Sequence, residues 1–147
     1  MNKLFLLRHA DASPKAQNQR DQDRQLTDTG RKQASDVAYE AKKNQLSFDV
    51  ILTSPYLRAV QTAEIFAGVY GVPDKLVLEP SLAPGCSLED IKQLVEQYAG
   101  CKTILFVGHE PDLGDIAAAL LGLHGSRPLK KAELVEIGPD PVDGWGL

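Results

Sequence analysis

A chain of 147 residues, 43% hydrophobic and 24% charged, has the length and proportions of one globular domain over 1–147, which excludes a disordered segment. Sixteen Lys and Arg against twenty Asp and Glu leave a net charge of −4, which argues against a nucleic-acid partner, since phosphate neutralisation needs clustered positive charge. The first apolar run stops at Arg8-His9, short of the roughly 20 residues of a membrane helix or the roughly 7–15 of a signal-peptide core; with only Cys86 and Cys101, the chain reads as cytoplasmic, with no membrane partner and no disulfide framework.

In chain order, Leu4–Leu7 predicts a buried strand. Asp11–Gln25 follows, fifteen mostly polar residues without periodicity, a length that in a compact domain marks a functional or mobile loop. Arg31–Lys43 carries Ala34, Val37, Ala38 and Ala41 at helical spacing, with Thr27 or Asp28 available as cap. Val50–Thr53 predicts a second buried strand. Tyr56–Tyr70 is a helix with Val60, Ala63, Ile65 and Phe66 and with Pro55 at a favoured first-turn position. Leu76–Leu78 predicts a third strand buried on both faces. Leu88, Ile91, Leu94, Val95 and Tyr98 form a helical stripe opened by Ser87, with Asp90 three residues on. Thr103–Val107 predicts a fourth buried strand, a helix follows from Pro111 to about Leu121, and Glu133–Ile137 alternates as an exposed edge strand does. Pro139–Leu147 is a mobile tail or a packed terminal segment. Strands alternating with helices give an α/β fold with a mainly parallel sheet.

In such sheets ligands sit beyond the carboxyl ends of the strands, where the following helices present their N-termini. Arg8-His9 follows the first strand, Arg58 lies in the first turn of the helix after the second, and Gly108-His109-Glu110 follows the fourth. Two arginines match phosphate oxygens with planar, permanently charged forks. A neutral imidazole can attack phosphorus and carry the phosphoryl group, and a second can hydrogen-bond an equatorial oxygen. The set reads as metal-independent phosphoryl transfer with no cofactor. Each residue also has a purely structural reading: Arg58 paired with Glu64 or another acid, and His109 satisfying a helix end. For His124, in a loop after a helix, the structural reading is preferred. Arg24 could reach a phosphate or a partner, Lys130 and Lys131 could extend a positive rim, and Asp11 could orient its loop or restrain Arg8.

The same residues carry a resemblance. Leu7-Arg8-His9-Ala10 is similar to the Arg-His-Gly signature of the histidine phosphatase (phosphoglycerate-mutase-like) superfamily, with alanine for glycine. Leu26-Thr27-Asp28-Thr29-Gly30 resembles its Leu-Thr-x-x-Gly segment, Ser54–Thr62 its Ser-Pro-x-x-Arg-Ala-x-x-Thr segment, and Gly108-His109 its second histidine motif. The resemblance implies a three-layer α/β/α fold, a mostly parallel sheet flanked by helices. It implies His9 as the phosphorylated nucleophile and Arg8, Arg58 and His109 as the phosphate pocket. Within the superfamily the short chain, Arg8–Ala12 and Arg24–Thr27 resemble the SixA-type phosphohistidine phosphatases. Leu82-Ala83-Pro84 falls where mutases and many alkyl phosphatases place Leu-x-Glu, so their proton-donating glutamate is absent. An alkoxide needs a positioned acid, worth about 10^2–10^4 in rate, and an imidazole leaving group depends on one far less.

Two substrate classes follow: phosphohistidine on a protein, or a small phosphorylated molecule hydrolysed with Glu110 as general acid. The preferred reading of Glu110 is a carboxylate capping the Pro111 helix. A non-catalytic phosphate-binding module is the third alternative. The pattern is silent on oligomeric state.

Overall fold

The computed structural model describes residues 3–138; Pro139–Leu147, expected as a tail or a packed terminal segment, lies outside the described residues. Five strands, β1 (Lys3–Arg8), β2 (Val50–Thr53), β3 (Leu76–Leu78), β4 (Thr103–Gly108) and β5 (Leu134–Ile137), form one sheet in the order β3-β2-β4-β1-β5. All neighbours are parallel except β5, which runs antiparallel to β1. Four helices, α1 (Asp28–Lys43), α2 (Leu57–Tyr70), α3 (Leu88–Gln97) and α4 (Asp112–Leu120), cover it.

Strand parity builds the three layers, because successive side chains point to opposite faces. Leu4, Leu6, Leu52, Ile104 and Phe106 face α3 and α4 and meet Ile91, Leu94, Ile116 and Leu120. Phe5, Leu7, Ile51, Leu105 and Val107 face the opposite way and meet Ala38 and Ala41 of α1 and Ala63 and Phe66 of α2. The expected α/β fold, a mostly parallel sheet flanked by helices, is the one observed. One strand differs from expectation. Leu76–Leu78 is not buried on both faces; it is the second edge of the sheet, and Leu78 is 52% exposed.

Helix boundaries shift where capping chemistry decides them. Thr27 caps α1 by accepting from the Gly30 N–H, so the helix starts at Asp28 rather than Arg31. The Ser87 and Asp90 side chains form a reciprocal capping box on α3. α2 and α4 start at Leu57 and Asp112, each one residue after the expected start, so Pro55 and Pro111 stand ahead of the first turn rather than in it.

Register is what positions the site. Arg8 lies opposite Gly108 and Thr53 opposite Val107. The pairing continues past the strands, with the His9 N–H donating to the Gly108 carbonyl (3.1 Å) and the Ser54 N–H to the Val107 carbonyl (3.0 Å). Three strand-to-helix junctions therefore end side by side. α1 is drawn against the first of them at Gly30, where an added Cβ would collide with the Asp11 carbonyl oxygen. Gly30→Ala is expected to cost about 1–3 kcal/mol, as overpacking does, and to lower activity through the displaced His9–Asp11 segment. Urea midpoints with an unchanged slope, paired with kinetics, check this; unchanged stability and activity would contradict it.

Candidate active site

His9 leaves the end of β1 only 8% exposed. Its Nδ1 lies 2.8 Å from the Ala10 carbonyl oxygen. A carbonyl only accepts, so in the neutral ring Nδ1 carries the proton and Nε2 the lone pair. Burial lowers the imidazole from 6.5 to about 4; the Ala10 bond opposes this, and the charges of Arg58, Arg8 and Arg24 add to it. At neutral pH His9 is an uncharged ring with a free nucleophilic nitrogen. Its loop is tied to α2 by Thr62, whose Oγ1 accepts from the Ala10 N–H (3.1 Å) and donates to the Arg58 carbonyl (2.8 Å).

His109 follows β4, 3% exposed, its ring centroid 5.2 Å from that of His9. Its Nε2 lies 2.7 Å from the Ser54 Oγ, which accepts from the Tyr56 N–H at 3.1 Å. Where the Ser54 O–H donates to Nε2, the proton of His109 sits on Nδ1. Burial first, then the nearby His9, Arg58 and Arg8, lower this imidazole to about 3. Tyr56 packs edge-on against His109 (5.3 Å) and lies 5.1 Å from the Arg58 guanidinium carbon.

The two arginines are anchored at one end each. Arg8 donates from Nη1 to the Leu129 carbonyl (3.1 Å). Arg58, 6% exposed, donates from Nη1 to the Asp21 carbonyl (2.9 Å) and from Nη2 to the Asp21 Oδ2 (3.1 Å). Among the described residues, three buried side-chain nitrogens have no partner: Arg8 Nε, Arg58 Nε and His109 Nδ1. A buried donor left unsatisfied costs about 1–3 kcal/mol. Three such groups, one from each junction around a neutral His9, form a donor set suited to an anion with several oxygens.

The remaining candidates separate. Arg24 reaches the site indirectly, donating from Nη1 to the Asp21 Oδ1 (3.1 Å) and from Nε to the Ser13 carbonyl (2.7 Å). Asp21, in a 3-10 turn at Asp21–Asp23 within the long loop, thus bridges Arg24 and Arg58. Hydrogen bonding from Arg24, and then from Arg58, holds its carboxyl below the usual carboxylate range against the opposing effect of burial. Glu110 turns both oxygens to backbone: Oε1 accepts from the Gly114 N–H (2.5 Å) and Oε2 from the Leu129 N–H (2.9 Å). Asp11 does not bond Arg8; it binds Lys131 (2.7 Å) and the Thr27 hydroxyl (2.6 Å). Lys131 is thereby held by an ion pair, while Lys130 and His124 are exposed. Among the described residues, no group of three His, Cys, Asp or Glu side chains could hold a metal ion, and no helix is long and apolar enough to cross a membrane.

Sequence reasoning passed over four contributors. Ser54 and Thr62 stand inside a motif it quoted, where a hydroxyl at a strand end and another one helical turn after Arg58 were available signals. Asp21 and the Leu129 carbonyl left no local signal, because both contacts close over long sequence separations.

The profile of the histidine phosphatase superfamily (branch 1) matches residues 4–83, just over half of the chain, with Arg8, His9 and Arg58 inside the match. The chain belongs to this superfamily. An uncharacterized protein of Picosynechococcus sp. is 38% identical over 136 residues, covering 90% of this chain and 82% of that one. Phosphohistidine phosphatase SixA of Escherichia coli is 28% identical over 119 residues, covering 80% of this chain and 73% of its own. Among solved structures, a SixA-type protein of Agrobacterium tumefaciens superposes with a TM-score of 0.83 at 24% identity, over 93% of this chain and 91% of that one. The protein histidine phosphatase SixA complexed with tungstate gives 0.82 at 25% identity, over 91% and 86%. Other superposing folds include an α-ribazole phosphatase of Shigella flexneri, at 17% identity. This superfamily member is a phosphatase, and so a hydrolase.

Proposed function

We propose that this phosphatase removes the phosphoryl group from phosphohistidine carried on a protein, through a covalent phospho-His9 intermediate, and that it does so in the cytoplasm. The observation that carries the reading is the set of unpartnered donors, Arg8 Nε, Arg58 Nε and His109 Nδ1, around a neutral His9. The Nε2 lone pair of His9 attacks phosphorus while the bond from phosphorus to the substrate imidazole nitrogen breaks; that nitrogen keeps the electron pair, and the ring leaves as neutral imidazole because its other nitrogen already carries the proton. Arg8, Arg58 and His109 hold the equatorial oxygens as charge spreads in a loose transition state. Water then attacks phospho-His9; the P–N bond breaks, the electron pair returns to Nε2, and inorganic phosphate departs.

Substrate class follows from where protons are absent. Pro84 stands where relatives acting on alkyl phosphates place a glutamate, and both Glu110 oxygens face backbone donors, so neither carboxyl group presents a proton to a leaving oxygen. An alkoxide would leave unprotonated, whereas an imidazole leaves readily. The kinship with phosphohistidine phosphatase SixA supports the same choice. A groove of about 430 Å³ lined by Arg20, Tyr56, Leu57, Val60 and Leu78 adjoins the pocket at Tyr56.

The test is a substrate comparison with EDTA present. Protein phosphohistidine is expected to turn over at least about 10^2-fold better, by kcat/KM, than an alkyl phosphate, the rate a missing general acid forfeits. EDTA is expected to leave the rates unchanged. Comparable alkyl turnover would instead identify a small-molecule phosphomonoesterase.

A further inference from the structure

We infer that Glu110 is a positioning residue for Arg8, acting through the Leu129 peptide. Glu110 grips two segments at once: the first turn of α4 through the Gly114 N–H (2.5 Å), and the 126–129 segment through the Leu129 N–H (2.9 Å). The other face of that segment's last residue holds the arginine, since the Leu129 carbonyl accepts from Arg8 Nη1 at 3.1 Å. This is the one hydrogen bond that the Arg8 guanidinium makes among the described residues, and it leaves the Nε N–H buried and unpartnered. The direction in which Nε points is therefore set by where the Leu129 peptide stands.

The local structure is shaped around this grip. Gly114 has no side chain because a Cβ there would lie 2.8 Å from Glu110 Oε2, 2.8 Å from Ser126 Oγ and 3.0 Å from Pro128 Cα. The Gly114 carbonyl in turn accepts from the Arg127 N–H at 2.9 Å. Leu129 is 2% exposed, so its peptide groups have little water to fall back on. A carboxylate is the side chain that fits, because it accepts on both oxygens and donates on neither; a glutamine offers one acceptor and turns an NH2 toward the second N–H. Glu110 thus spans 19 residues of sequence to hold the N–H of a residue whose carbonyl, in the next peptide group, accepts from the arginine at the end of β1.

The inference rests on Arg8 serving the phosphate pocket, and a double-mutant cycle separates the two statements. Inhibition by inorganic phosphate is measured with an aryl phosphate substrate for wild type, Glu110→Gln, Arg8→Ala and the double variant, with thermal midpoints alongside. Arg8→Ala is expected to weaken phosphate inhibition roughly 10–100-fold, the loss of a charge-assisted donor. Glu110→Gln is expected to weaken it about tenfold in the wild-type background and less than about twofold when Arg8 is already alanine. Its effect on kcat/KM is expected to be the same factor for aryl and alkyl phosphates, because no proton transfer is lost.

A Glu110→Gln effect of equal size in both backgrounds overturns the inference while leaving the pocket intact. A selective loss on the alkyl phosphate overturns it in favour of general-acid catalysis. An Arg8→Ala variant that binds phosphate as wild type does overturns the pocket reading and this inference with it. If Glu110→Gln unfolds, Glu110→Asp, one methylene too short to hold both N–H groups, takes its place in the cycle with the same expected pattern.

Discussion

Replacing His9 with alanine is expected to lower kcat/KM for phosphohistidine by about 10^4–10^6-fold, the scale on which loss of a covalent nucleophile is felt. No neighbouring group can substitute. His109 engages Ser54 through Nε2 and its Nδ1 is fully buried, and the other pocket groups are cations without lone pairs. The donors themselves survive the substitution, because Arg8 and Arg58 are anchored by Leu129 and Asp21 rather than by His9. The dissociation constant of inorganic phosphate, read by calorimetry, is therefore expected to stay within a few-fold of wild type. Kinetics and calorimetric phosphate binding on the same preparation check both halves. Activity above a tenth of wild type would contradict the nucleophile assignment; simultaneous loss of phosphate binding would show that His9 builds the pocket rather than reacting in it.

Acid is expected to destabilise the fold well before its carboxylates protonate. His9 and His109 are held at about 4 and about 3, against an ordinary 6.5. A histidine whose folded pKa is depressed binds fewer protons folded than unfolded below 6.5, so stability rises with pH through that range. Nothing is lost above about pH 6.5. Below it the unfolded chain takes up protons that the buried rings refuse, and the loss accumulates down to pH 4. At 1.36 kcal/mol per unit, shifts of this size amount to several kcal/mol over the window, on the order of half a small domain's stability. The depressed carboxyls, Asp11, Asp21 and Glu133, act in the same sense and lose their contribution only lower, below about pH 4. Urea midpoints at pH 7, 6, 5 and 4.5 give the slope, and His9→Ala is expected to flatten it. The same ring places the acid limb of kcat/KM for an aryl phosphate near pH 4. Stability constant from pH 7 to 4.5 would contradict neutral burial of the two rings.

Much of this architecture is legible in the sequence because it is written locally. Leu4-Phe5-Leu6-Leu7 is apolar at every position, as a strand covered on both faces must be, and the sheet divides these residues between two cores. Arg8, His9, Arg58 and His109 each stand within a few residues of a strand end, so the rule that places ligands there brings them to one edge. Leu76–Leu78 carries the same apolar signature yet lies at the sheet edge, because strand order depends on pairing that composition does not encode. The start of α1 moved by three residues because the Thr27 hydroxyl accepts a free N–H of its first turn, while α2 and α4 start one residue later than expected with no side-chain cap. Contacts across long separations left no trace: Asp21 meets Arg58 from an aperiodic loop 37 residues away, and Glu110 meets Leu129 after a helix and a turn. Glu110 illustrates the limit best. Its position beside His109 is compatible with proton donor or helix cap, and the two N–H groups facing its oxygens, which favour the cap, leave no local signal.

Phosphate attached to His9 is the central chemical statement, and a rapid-quench experiment addresses it most directly. A histidine-phosphorylated protein carrying 32P is mixed with excess enzyme, quenched in alkali within the first turnover, and the enzyme digested and mapped. The expected result is label on the peptide containing His9, stable to base, lost in acid, appearing before inorganic phosphate and absent from His9→Ala. Release of labelled phosphate with no label on His9 at any time would mean that water attacks the substrate directly, and that result would contradict the covalent route.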